Sequence, residues 1–223
     1  ARDPNDGDNI LRLAQLYAAA WRKAAEVNDP NAKAQVLQGA EAFFATPGVN
    51  SLEALGNAAE FYLAAGQADK GEALLRGFVE QEVGENKIEA QLLVARFFQQ
   101  IGKQTGNFSA AEREFQQAQR LIGQVAPDAT QRRPLDKRVG LALVAFYDAQ
   151  RRFDKVAETC RWLLDHLGAV NKADPDTQDV RLMLMQALFS TTPRQLDDAK
   201  LEIDGYIRDY PGDERGLTAR AQL

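Results

Sequence analysis

Apolar residues at helical spacing, cut at short intervals by glycine and proline, constrain this chain more than anything else in it. Ile10, Leu13, Ala14, Tyr17 and Trp21 are spaced three and four residues apart around a turn, and so are Leu55, Ala58, Ala59 and Tyr62. Such spacing puts side chains on one face of a helix. Ala, Leu, Gln, Glu and Arg fill the segments between the breakers, and all favour helix. Leu141 to Tyr147 is continuously apolar. It lies in a helix-rich segment without strand punctuation and reads as a helix buried on most sides. The breakers are Pro30, Pro47-Gly48, Gly66, Gly84, Gly106, Pro127, Gly168, Pro175, Pro193 and Pro211-Gly212. Glycine supplies a left-handed cap and proline cannot continue a helix. Ser51, and Asp176 with Thr177, read as N-cap regions.

These signals predict an all-α chain of about ten helices joined as hairpins. The pairs fall near 9–28 with 31–45 (9–45), 50–65 with 68–83 (50–83), 87–103 with 108–124 (87–124), 133–150 with 153–167 (133–167), and 177–190 with 195–210 (177–210). Residues 213–223 would begin a sixth pair. Pro134 opens the fourth pair or sits in its first turn. The expectation is a single helical-repeat domain over 1–223. The opening "ARDPNDGDN" reads as a loop and the closing "GDERGLTARAQL" as the start of a helix, so a fragment of a longer protein is expected.

The hairpins repeat a pattern. "TGNFSAAEREFQQAQRL" carries Gly106, Ala111, Phe115 and Ala118, and "AGQADKGEALLRGF" carries Gly66, Gly71, Leu75 and Phe78. "RRFDKVAETCRWLL" follows with Phe153, Val156, Cys160 and Leu163, and "QLDDAKLEIDGYIRDYP" with Leu196, Ala199, Ile203, Tyr206 and Pro211. In the first helices, Ala14 with Tyr17, Ala59 with Tyr62, Ala95 with Phe98 and Val144 with Tyr147 each set a small or branched residue three before an aromatic. Small residues suit a helix crossing. An aromatic suits packing on the next hairpin, because one hairpin alone cannot bury its apolar face.

On these residues most of the chain resembles the tetratricopeptide repeat (TPR) family. The family's tryptophan and leucine-glycine signature is missing from the first helices. The step from Ala59 to Ala95 is close to the ~34 residues of that family. The steps from Ala14 to Ala59, Ala95 to Val144 and Ala111 to Val156 are longer, near the ~40–47 of other helical repeats. Lengthened helices or loops are therefore expected in pairs one, three and four. The resemblance implies a right-handed superhelical solenoid of about five helix-turn-helix hairpins. It also implies a non-catalytic scaffold, inside a larger bacterial-type multi-repeat protein, that holds a peptide or protein in a concave groove. The groove would be lined by first-helix residues outside the packing stripe: Arg12 and Gln15, Asn57 and Glu60, Arg96, Gln99 and Gln100, Arg138 and Asp148, and Arg181. Another part of the same polypeptide could fill it. Chaperone-binding members of the family hold a terminal carboxylate with lysine and asparagine. Only Asn57 matches that clamp, so no such binding is expected. The alternatives are a structural spacer that self-associates through exposed end hairpins and a small-molecule- or sugar-binding helical domain.

Chemistry is hard to assemble from these residues. The chain has 223 residues, 45% hydrophobic and 26% charged, the range of a folded soluble protein. Its net charge is −5, which disfavours sequence-independent nucleic-acid binding. No apolar run approaches the ~20 residues of a membrane helix. The single cysteine, Cys160, forms no internal disulfide, and it stands on a different helical face from the single histidine, His166. His166 suits a helix C-terminus. Asp3, Asp6 and Asp8, and Asp174, Asp176 and Asp179, lack the order of a calcium loop and read as caps. Paired aromatics such as Phe43-Phe44, Phe97-Phe98 and Phe146-Tyr147 read as core. No cofactor, metal or catalytic group is expected. One stretch is densely basic: Arg132, Arg133, Lys137 and Arg138, with Arg151, Arg152 and Lys155 one helix later. It reads first as a solvated face and second as a surface for an acidic protein segment.

Overall fold

A computed structural model describes residues 7–46, 51–167 and 175–223. Asp3, Asp6, Pro47, Gly48, Gly168 and Asp174 lie outside them, as do the side chains of Asp8 and Ile10. Among the described residues there are eleven α-helices, packed as sequential antiparallel hairpins. The chain divides into two compact units, Ala1–Ala118 and Gln119–Leu223.

The first unit contains α1 (Gly7–Glu26), α2 (Pro30–Phe44), α3 (Leu52–Ala64), α4 (Ala68–Gln81), α5 (Gly84–Thr105) and the start of α6 (Ser109–Val125). Side-chain caps set two of the starts. Asp29 accepts from the amides of Asn31 (2.9 Å) and Ala32 (3.1 Å) ahead of α2, and Ser51 accepts from that of Ala54 (3.2 Å) ahead of α3. Gly106 ends α5 at φ 76°, where its amide reaches Gly102 O at 2.8 Å and a side chain would be strained. Helix α1 packs on α2 and α3, and α5 packs on α3 and α4. Between α1, α2 and α3 the core is aromatic: Phe44, Phe61 and Tyr62 are buried among Ala14, Ala40, Ala54 and Ala58, with Tyr17 and Trp21 against them. The next cluster joins Leu55, Ala59, Leu75, Val94 and Phe97. Glu114 of α6 accepts from Arg76 of α4 (2.8 Å) and Gln91 of α5 (2.7 Å).

The second unit contains the rest of α6, then α7 (Ala129–Asp148), α8 (Phe153–Leu167), α9 (Pro175–Ser190), α10 (Leu196–Asp209) and α11 (Glu214–Arg220). Each of α7 to α10 packs on the helix that follows it, and α11 also touches α9. Helix α7 starts four residues before the expected 133, because Asp128 accepts from the amide of Thr130 (2.7 Å) and caps it there. Pro134 consequently sits inside the helix. Helix α9 starts at Pro175, so Asp176 and Thr177 lie in its first turn. Asp176 pairs with Lys137, and the Thr177 hydroxyl lies 3.3 Å from that of Tyr210. At the α7–α8 crossing, a Cβ on Gly140 would come within 2.4 Å of the buried Leu163 side chain. At the other end Asp213 caps α11 and accepts from the Tyr206 hydroxyl and from Gln178 Nε2 (2.5 Å). No described helix is long and apolar enough to cross a membrane.

Candidate partner-binding cleft

The residues expected in a groove fall into three groups. In the first unit, Arg12 and Gln15 are exposed on α1, Glu60 on α3 and Arg96 on α5, while Asn57, Gln99 and Gln100 are half-buried. They occupy α1, α3 and α5, the first helices of successive pairs, which pack side by side. Asn57 spends its amide on its own helix, donating to Glu53 O at 2.9 Å. These seven polar residues lie on adjoining helices.

Arg181 makes up the second group. Its side chain is 15% exposed and lies between α9 and α10. It pairs with Glu202 and, at 2.9 Å, with Asp209, and its guanidinium lies 5.5 Å from the Tyr206 ring centre and 5.8 Å from that of Tyr210. Those contacts hold the hairpin together.

Arg138 and Asp148 form the third group, at the two ends of one stripe of α7. The steps 138, 141, 145 and 148 keep to a single helical face. From Leu141 to Asp148, with Arg138 outside the lining, this stripe borders a cleft of about 580 Å³, within the range of ligand sites. Leu141, Val144 and Ala145 make one wall, and Leu182, Met183 and Ala187 of α9 make the other. Phe153 and Val156, at the start of α8, also line the cleft. Asp148 and Gln186 are the polar members of the lining, and both are exposed. Met183 is 37% exposed, unusual for a methionine facing a mostly apolar hollow.

The apolar walls are not among the expected groove residues, because residue pattern singles out only polar positions outside the packing stripe. A signal was present. The runs from Leu141 to Tyr147 and from Val180 to Met185 carry apolar residues on more than one helical face, and one hairpin partner covers only one.

The cleft can bind, through apolar burial plus one carboxylate and one amide. Its lining contains no nucleophile next to a base. Cys160 is fully buried on α8, and burial pushes its thiol up to about 12. His166 is exposed; its Nδ1–H donates to Trp162 O at 2.8 Å and its ring packs on the Trp162 ring, 4.6 Å between centres. The thiol should accordingly stay unlabelled by a disulfide reagent at pH 8 while the chain is folded, and react once guanidinium unfolds it. Prompt labelling of the folded protein would contradict the burial described. Asp136, buried on α7, is raised by desolvation, against the opposing charges of His166 and Arg132.

No protein-family model matches the sequence, and no curated protein matches it.

Proposed function

We propose that this chain is a non-catalytic protein-interaction module built from degenerate TPR-like repeats arranged as a solenoid, and that it holds a peptide or protein segment against the first helices of its hairpins. The observation that carries this reading is the cleft between α7 and α9: it is apolar, open to solvent and bordered at one end by Asp148. Apolar surface left uncovered in this way gains free energy when a partner's side chains fill it, and the few polar groups fix the partner's orientation. The sequential hairpin packing and the small residues buried at helix crossings, such as Ala14, Ala59 and Ala95, support the repeat reading.

Selection from a random peptide library on the folded chain tests the reading. Peptides that bind should lose at least about tenfold in affinity when Ala145→Trp fills the cleft or Met183→Glu charges its wall. Both positions are exposed, so the far-ultraviolet circular dichroism and melting temperature should stay close to the parent's. Binders that ignore both changes but are lost with Arg96→Glu would move the site to α5. Failure to select any peptide would count against the function itself.

A further inference from the structure

Most of the dense basic stretch is occupied within the folded chain. Arg133 donates to Leu167 O (2.7 Å), Lys137 pairs with Asp176, Lys155 pairs with Glu158 (2.6 Å), and the Arg152 guanidinium lies 5.0 Å from the Tyr147 ring centre. Arg151 differs. It is exposed in the α7–α8 turn at φ 56°, and its side chain has no hydrogen bond or ion pair among the described residues. The fold brings it to Arg194, from the connection between α9 and α10, which is likewise exposed and without a partner among the described residues. The two arginines line one hollow of about 530 Å³, together with Ser190 and Thr192.

Phe153 lines both this hollow and the apolar cleft, so the two adjoin across one ring. Asp154 shares the rim of the hollow, and Asp148 stands in the cleft on the other side of Phe153. Within the hollow itself the two arginines face one carboxylate, Asp154, which leaves one positive charge in excess there. A polyanionic backbone, which needs a run of uncompensated cations, is a poor match. A localised carboxylate suits it, because guanidinium groups hold carboxylates through paired, charge-assisted hydrogen bonds.

We infer that the partner is an acidic protein segment with an apolar anchor: apolar side chains enter the cleft between α7 and α9, and an adjacent Asp or Glu reaches past Phe153 to Arg151 and Arg194. This rests on the cleft being the binding site, and the pairing of cleft with basic hollow supplies the chemistry of the partner.

The test uses peptides selected from a random library on the full chain and then synthesised with capped ends. Asp or Glu should be enriched next to apolar residues. Affinity should fall about tenfold when Arg151→Glu and Arg194→Glu are combined, as expected for two lost surface pairs plus repulsion. A peptide with its acids changed to Gln should bind the parent about as weakly and be indifferent to the double reversal. A peptide with Lys at those positions should bind the reversed variant better than it binds the parent, an outcome that damage to the fold cannot produce. Arg151→Lys with Arg194→Lys should keep most of the affinity. Peptides lost with Ala145→Trp but carrying no acidic preference, or a basic one, would overturn this inference and leave the cleft standing. Binding that survives Ala145→Trp, or an empty selection, would remove the cleft and the inference with it.

Discussion

Replacing Phe61 with alanine is expected to cost the folded chain about 3–5 kcal/mol, the range for losing a buried aromatic without full collapse of the site. Phe61 is 1% exposed. Its ring centre lies 5.8 Å from each of the rings of Trp21, Phe44 and Tyr62, which come from α1, α2 and α3 itself. Around it stand alanines, Ala14, Ala40, Ala54 and Ala58, whose side chains are too short to move into the space. The cluster therefore has little means of closing over the cavity, which places the expected loss toward the upper part of that range. The measurement is urea unfolding followed by Trp21 fluorescence in a Trp162→Phe background, so that the signal reports the first unit. Trp21 is well placed for this, with its Nε1–H donating to Ala64 O at 3.0 Å. A loss below about 1 kcal/mol, the scale of an ordinary surface change, would mean that the three helices do not share this core.

A second large effect is expected at the α7–α8 crossing, where it takes the form of a coupling. Leu163 is fully buried, and its Cδ2 and Cγ would lie 2.4 and 2.5 Å from a Cβ on Gly140. Leu163→Ala should cost about 2–5 kcal/mol through lost burial and the remaining cavity. Gly140→Ala should cost about 1–3 kcal/mol in the parent by forcing the two helices apart, despite alanine's better helix propensity. Together the changes should cost clearly less than the separate losses added, because the new methyl occupies part of the space the leucine left. Trp162 fluorescence in a Trp21→Phe background follows this unit. Simple additivity would show that the helices cross elsewhere.

Helix placement was largely legible because it depends on local chemistry. Apolar spacing, the capping serine at 51 and the glycine turn at 106 act within a few residues, and α3 and α6 begin close to where those signals put them. Where a local signal competes with another, the outcome is less readable. Pro134 suggests a helix start by its missing amide, yet Asp128 offers a better cap upstream and the helix accommodates the proline at an interior position.

The candidate site was readable only in part, for a different reason. Asp148 is legible because it lies off the packing stripe of α7, and it does border the cleft. In the fifth pair the spacing gives no clear register and Arg181 is the nearest match, but Glu202 and Asp209 arrive from the next helix and pair with it. Arg151 stands beside Arg152 and Lys155 in the chain, whereas the fold seats it with Arg194, from a connection after α9. Which charges end up together depends on how the helices are laid against each other, and no pattern of residue types along the chain encodes that directly.

Helices in each unit pack mainly on those just before or after them in the chain. Ordering such neighbours closes only short loops, so little chain entropy is lost before the first apolar contacts form. A growing polypeptide could bury the aromatic cluster between α1, α2 and α3 while α9 to α11 were still being synthesised. In the folded chain the same locality should let a single hairpin open alone, and backbone amides in the short α11 should exchange with deuterated solvent well ahead of those around Phe61.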